Sequence, residues 1–113
     1  MTTLQQYANE ARDFARDAVK AIAAFHGESA DDKFMDNLAD NAVSGIMNRC
    51  KAIVDKFGES EGCKVTVRGL RNVVASVSAY KDTKNGGYID DALDNVTLFR
   101  YAIMTKSVTI DKG

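Results

Sequence analysis

The sequence predicts an all-α, four-helix domain whose unequal helix lengths allow an irregular bundle. Three observations support this prediction. The 113 residues include no proline, which would otherwise interrupt helices. Apolar residues recur at steps of three and four in four separate segments, which is the period of an amphipathic helix. Short links that contain glycine separate these segments. One domain over 1–106 is therefore expected, followed by a C-terminal tail over 107–113.

The first helix is predicted over 3–25. Thr3 and Gln6 have the spacing of a capping box at its start. Gly27 is expected to end the helix in a left-handed conformation. The apolar stripe consists of Leu4, Tyr7, Ala11, Phe14, Ala18, Ile22 and Phe25.

The second helix is predicted over 30–57, with Ser29 as its N-cap and Asp32 in its first turn. Gly45 lies in mid-helix, where glycine costs about 1 kcal/mol relative to alanine. It indicates either a close helix crossing or a bend, and Gly58 is expected to end the segment. The apolar stripe consists of Met35, Leu38, Ala42, Ile46, Cys50, Ile53 and Phe57.

A polar link over 59–64 is predicted to precede a third helix over 67–81, with Thr66 as the N-cap. An alternative is a short strand over 63–67, because Val65 and Val67 alternate with polar residues. No second convincing strand exists to pair with it. The helical stripe consists of Val67, Leu70, Val73, Val74, Val77 and Tyr80.

The fourth helix is predicted over 90–105, where Asp90 and Asp91 favour an N-terminus. Its apolar residues point in two directions. Ile89, Leu93, Val96, Phe99 and Ile103 face one way, and Leu98, Tyr101 and Ala102 face another. A helix that is apolar on most sides is usually surrounded. We therefore expect it at the centre of the bundle or at a subunit contact.

The stretch over 82–93 resembles the twelve-residue loop of the EF-hand family, which would imply calcium binding. The matching positions are Asp82, Gly87, Ile89 and Asp90. Lys84, Gly86 and Leu93 occupy positions where that loop needs oxygen ligands. We therefore predict no metal site. The expected structure is a helix–helix connection in which Gly86 and Gly87 take φ values that other residues avoid.

No catalytic or cofactor motif occurs, so the protein is predicted not to be an enzyme and to need no cofactor. The only histidine, His26, is expected to interact with the last carbonyls of the first helix. Cys50 lies on an apolar stripe and is expected in the core. Cys63 lies in the polar link and is expected to be exposed and somewhat reactive. Reduced thiols are favoured, with a single disulfide as the alternative.

Two segments carry opposite charges. The segment 62–87 contains five basic residues against one acid: Lys64, Arg68, Arg71, Lys81 and Lys84. The segment 28–40 contains five acids against one lysine, and Asp32, Asp36 and Asp40 recur in it at every fourth position. The basic helix can contact phosphates, with Asn72 near a base edge. Two alternatives stay open. The basic and the acidic segment are both solvated surfaces, or the basic segment of one molecule binds the acidic segment of another in head-to-tail self-association.

Arg100 falls within the apolar sector of the fourth helix. Three roles are open for this side chain: an internal salt bridge, a snorkelling position at the rim, or an interface anchor.

The prediction for function is a non-enzymatic protein-interaction module, acting as an inhibitor, adaptor or assembly component through a helical face. The partner is expected to be another protein, with a homo-oligomer as one possibility. A nucleic-acid-associated regulator that uses the basic third helix is the alternative. Phage-encoded blockers of host systems and immunity proteins are small domains of this general kind, which is an analogy only.

The N-terminus has no basic start followed by an apolar block, and no apolar run reaches the roughly 18 residues of a membrane span. The sequence therefore predicts a small acidic cytoplasmic protein with a net charge of −1 and no membrane partner.

Overall fold

The computed structural model describes residues 3–28, 30–58 and 60–105, with no description of the side chains of 101–105. Four helices span most of these residues: α1 (Leu4–His26), α2 (Asp32–Phe57), α3 (Glu61–Thr83) and α4 (Gly87–Thr105). No strand occurs in the described ranges. The prediction of an all-α, four-helix domain is confirmed. The predicted tail over 107–113 lies outside the described residues.

Successive helices run antiparallel. Residues near the start of one helix contact residues near the end of the next, and the residue number on one helix falls as that on the other rises. The contacting pairs are Tyr7 with Phe57 and Phe25 with Phe34 (α1–α2), Asp36 with Lys84 and Asp40 with Lys81 (α2–α3), and Ser76 with Asn95 and Gly69 with Phe99 (α3–α4). α1 also packs against α4, which closes the bundle into a ring, whereas α2 and α4 do not approach each other closely. The α2–α3 and α1–α4 faces are therefore on opposite sides of the domain.

The predicted placement of α4 at the bundle centre is wrong. α4 contacts only α3 and α1, and Leu98 on its outer side is 63% exposed. Its buried side chains are Ile89, Ala92, Val96 and Phe99, a single stripe. The side chains of Tyr101 and Ala102 are outside the description, and a subunit contact through α4 stays a prediction.

The first two helices begin with the expected type of cap. The capping box of α1 is confirmed: Gln6 N donates to Thr3 Oγ1 (3.2 Å), and Thr3 N donates to Gln6 Oε1 (2.7 Å). α2 is instead capped by Asp31, whose Oδ1 accepts from Phe34 N at 2.8 Å, so the helix begins two residues later than predicted. Ser29, the predicted cap, lies outside the described residues.

The predicted start of α3 is wrong by six residues. Ser60 caps the helix and accepts a hydrogen bond from Cys63 N at 3.3 Å, and Glu61 occupies the first turn. Thr66 is instead buried inside the helix, where its Oγ1 donates to the carbonyl of Gly62 at 2.9 Å. The predicted link was polar, but its serine and glutamate are the residue types that favour a helix N-terminus. The alternative strand over 63–67 is therefore also wrong.

Among the described residues, positive φ occurs at Gly58 and Lys84 and at none of the three glycines where the sequence suggested it. Gly58 ends α2 with φ 71°, but Gly27 has φ −78°. Lys84 takes the left-handed conformation (φ 56°) in the third link, and neither Gly86 nor Gly87 has positive φ. Gly87 starts α4, three residues before the predicted start.

Two mid-helix glycines admit aromatic rings between helices. A Cβ on Gly45 would lie 2.1 Å from Cζ of Phe14, so the close-crossing interpretation of this glycine is confirmed. A Cβ on Gly69 would lie 2.3 Å from Cδ2 of Phe99, which is 3% exposed. These contacts bring α1 close to α2 and α3 close to α4. Ordinary residues at either glycine would hold the helices further apart.

Candidate functional site

The structure brings three of the five predicted basic residues together in one groove. Lys64, Arg68 and Arg71 are exposed and share one face of α3, since they are spaced by four and three residues. They border a cavity of about 390 Å³ between α2 and α3. This α2–α3 groove is lined by Val54, Gly58, Cys63, Lys64, Val67, Arg68, Arg71 and Asn72.

The other two basic residues, Lys81 and Lys84, are already paired. Lys81 Nζ lies 2.6 Å from Asp40 Oδ1, and Lys84 Nζ lies 2.5 Å from Asp36 Oδ1. The hydrogen bonds that the two lysines donate to these carboxylates raise the pKa of both lysines above the ordinary value. The predicted basic and acidic patches therefore partly neutralise each other inside one chain. Asp32 remains exposed at the start of α2.

The three basic residues that border the α2–α3 groove are not paired with described carboxylates in the way that Lys81 and Lys84 are. Among the described residues, Lys64, Arg68 and Arg71 have no ion pair and no side-chain hydrogen bond. Their charge therefore faces solvent without a neutralising carboxylate from the described part of the chain. This arrangement can attract an anionic ligand.

The floor of the groove is apolar. Val54 and Val67 are half-buried, and Cys63 is 2% exposed, so the prediction of an exposed Cys63 is wrong. The reason is the early start of α3, which turns this residue toward the core. Cys50 is buried as predicted, and burial raises the pKa of its thiol, although Arg71 opposes this effect. The structure records both cysteines as thiols.

His26 contacts another helix rather than the last carbonyls of α1. Its Nδ1 lies 2.8 Å from Oη of Tyr80, and the two rings meet edge to face at 5.3 Å. The histidine also lies against Gly86, where a Cβ would be 3.0 Å from Nε2. His26 therefore connects the end of α1 with the end of α3 and the third link.

Of the three roles left open for Arg100, the internal salt bridge is wrong, because this side chain is exposed and has no ion pair with a described residue. The rim position and the interface anchor stay predictions for this side chain. It lies beside a second cavity of about 210 Å³, on the opposite side of the domain. This α1–α4 groove is lined by Arg12, Arg16, Lys20, Leu93, Val96, Thr97 and Arg100. The three α1 residues recur at every fourth position, a signal that was visible in the sequence. Their convergence with Arg100 depends on helix packing and was not predicted.

A third surface feature is an exposed aromatic pair where α1 meets α2. Phe25 and Phe34 are each 41% exposed, and their rings meet edge to face at 5.0 Å. They border a shallow depression together with Glu28 and Asp31. Phe25 was predicted as a core residue, but it lies at the helix end, beyond the layer that the other helices cover.

The described ranges hold neither a cluster of metal-binding side chains nor a membrane-spanning helix. No group of three or more His, Cys, Asp or Glu side chains there is placed to hold a metal ion. In the same ranges, no helix has both the length and the apolar character needed to cross a membrane. Comparison of the chain with protein-family models, with curated proteins and with solved structures gives no match.

Proposed function

We propose that the protein is a non-enzymatic interaction module whose α2–α3 groove binds an acidic, amphipathic segment of a partner protein. One observation carries this proposal. Lys64, Arg68 and Arg71 border an apolar-floored groove and have no ion-pair partner among the described residues. An inhibitor, an adaptor and an assembly component would all use such a surface in the same way.

The chemistry of the groove indicates the type of segment. Val54 and Val67 offer apolar contact along the floor, and the three cations follow the rim on α3. An amphipathic helix presents apolar side chains on one face and carboxylates beside them. Such a helix would cover both valines while its acidic residues approach Arg68 and Arg71, and guanidinium groups bind carboxylates in a bidentate manner.

A nucleic-acid-associated regulator is the second candidate, since Arg68, Arg71 and Asn72 line the same groove. The ion pairs of Lys81 and Lys84 weaken this candidate, because they leave three of the five basic residues to contact phosphates. The apolar floor also contributes little to phosphate binding, which depends mainly on charge.

The test uses the full chain and three labelled probes in fluorescence anisotropy. The probes are an acidic amphipathic helical peptide, a scrambled peptide of equal charge, and a DNA oligonucleotide. The variant Arg68→Gln/Arg71→Gln is expected to lose at least about tenfold in affinity for the amphipathic peptide, which corresponds to roughly 1.4 kcal/mol. The matched control is Lys20→Gln/Arg100→Gln, which removes two exposed charges from the opposite face and is expected to bind normally.

Three outcomes would contradict the proposal: equal binding of the scrambled peptide, undiminished binding by the Arg68/Arg71 variant, or preferential binding of DNA. For DNA, three phosphate contacts predict that log K falls with log salt at a slope of about −2.7. If the amphipathic peptide binds as expected, a pull-down from the native host with nuclease treatment would then identify the partner.

A further inference from the structure

We propose that the α1–α4 groove is a binding site for the phosphoryl group of a small phosphorylated ligand. The site is separate from the α2–α3 groove, and the proposal does not depend on the function proposed above. Helix order places the two grooves on opposite faces of the ring. The observations that support it are the convergence of four cations, the shortage of neutralising carboxylates and the small size of the cavity.

Two helices bring the four cations to one cavity. Arg12, Arg16 and Lys20 follow one face of α1 at intervals of four residues, and Arg100 approaches from α4. No acidic residue lines the cavity. Like charges around one cavity repel each other, and an anion bound among them would relieve that repulsion.

Neighbouring carboxylates neutralise only part of this charge. Asp13 Oδ1 lies 2.7 Å from Arg12 Nη2 and 3.7 Å from Arg16 Nη1, and Asp17 Oδ1 lies 3.3 Å from Arg16 Nε. Lys20 and Arg100 have no ion pair with any described residue. Two full charges therefore remain available at the cavity, which matches the charge of a phosphate dianion.

The size and donor types of the cavity indicate a phosphoryl group rather than a peptide segment. The cavity measures about 210 Å³, compared with about 390 Å³ for the α2–α3 groove. Arg100 has no ion pair with a described residue, so its planar fork is available to bind two phosphate oxygens, whereas Arg12 already donates Nε and Nη2 to Asp13 Oδ1. Thr97 adds no donor, because its Oγ1 already donates to the carbonyl of Leu93 at 3.1 Å.

The test is a titration of the ¹⁵N-labelled full chain with inorganic phosphate and with pyrophosphate, followed by two-dimensional NMR. Sodium chloride at matched ionic strength is the control for general salt effects. Saturable shifts are expected at backbone amides around Arg16 and Thr97, with tighter binding of pyrophosphate. The variant Lys20→Gln/Arg100→Gln is expected to weaken binding at least about tenfold, since it removes the two cations without ion pairs.

The matched variant Arg68→Gln/Arg71→Gln removes two charges from the opposite groove, which can itself attract anions. The comparison therefore uses only the amides around Arg16 and Thr97, where this variant is expected to bind both anions as the parent does. All four substituted positions are exposed, so both variants are expected to retain the parent's far-UV circular dichroism spectrum. The proposal is overturned if the Lys20/Arg100 variant binds as tightly as the parent, if chloride reproduces the shifts, or if the shifts do not saturate. Equal loss in both variants would also overturn it, because it would indicate a general charge effect.

Discussion

Replacing Gly69 by alanine is expected to destabilise the domain, although alanine is the better helix former. The added Cβ would lie 2.3 Å from Cδ2, 2.9 Å from Cε2 and 3.1 Å from Cγ of Phe99. Phe99 is 3% exposed, and Cγ is the atom that joins the ring to the rest of the side chain. The ring therefore cannot rotate into solvent to make room for the new Cβ. Overpacking typically costs about 1–3 kcal/mol, and the gain in helix propensity offsets about 1 kcal/mol. Because the overlap with Cδ2 is severe and the buried ring cannot move away, the cost should fall in the upper part of that range, which leaves a net loss of roughly 1–2 kcal/mol.

Thermal and urea unfolding, followed by circular dichroism, measure this loss. For a domain of this size, roughly 4 °C in Tm corresponds to 1 kcal/mol, so Tm should fall by about 4–8 °C. The control is Gly27→Ala. Nothing lies within 4 Å of the new Cβ there and φ is −78°, so the change should be neutral or slightly stabilising.

A double-mutant cycle tests whether overlap with the ring of Phe99 causes the destabilisation by Gly69→Ala. Phe99→Leu should cost less stability in the Gly69→Ala background than in the parent, because the smaller side chain relieves the overlap. A Gly69→Ala protein that unfolds at or above the parent temperature would refute the close approach of α3 and α4. Additive effects in the cycle would refute the role of this particular ring.

Three further predictions test the helix start, the thiol and an ion pair. Ser60→Ala should destabilise the domain by about 1 kcal/mol in urea unfolding, whereas Ser60→Asp should retain the cap; equal stability of all three proteins would contradict a helix start at Glu61. Cys63 should react with a thiol reagent only slowly in the native state and at the model-peptide rate in denaturant, and fast native labelling would contradict its burial. The hydrogen bond from Arg12 lowers the pKa of Asp13 below 3.8, so its contribution to stability is present above pH 3.8 and is lost as the pH falls through the folded-state pKa. Asp13→Asn should therefore flatten the acid side of the stability–pH curve below about pH 3.8, and an unchanged curve would exclude this pair as a contributor.

The spacing of apolar residues predicted the helices and their buried faces well. The polarity of the residues between these segments was a poor guide to where each helix begins. The stripe of α2 from Met35 to Ile53 is buried as its spacing indicated, except for Leu38, which is half-buried. Residues 61–64 were predicted as a link because they are polar, yet they form the first turn of α3. This first turn is packed, because Gly62 and Cys63 are buried, so the polar composition of the segment was a poor guide to its conformation. The serine and glutamate there were the informative signal.

The candidate sites were predictable only in part. The spacing of Lys64, Arg68 and Arg71 placed them on one face, and the structure shows that face bordering a groove. The sequence could not show that Lys81 and Lys84 pair with carboxylates 41 and 48 residues away. That pairing depends on the register between α2 and α3, which nearby residues do not specify. It decides which basic residues remain available to a partner.

The sequence by itself determined the all-α class, the number of helices and most of their buried faces, because these follow from local periodicity and capping. Only the tertiary structure decided which faces meet. Packing placed Phe99 over Gly69, left Leu98 exposed and brought Arg100 beside the basic face of α1. The physical reason is that helix formation depends on residues three and four apart. Grooves, ion pairs and aromatic contacts between helices depend on distant residues that only the packed bundle brings within a few ångströms.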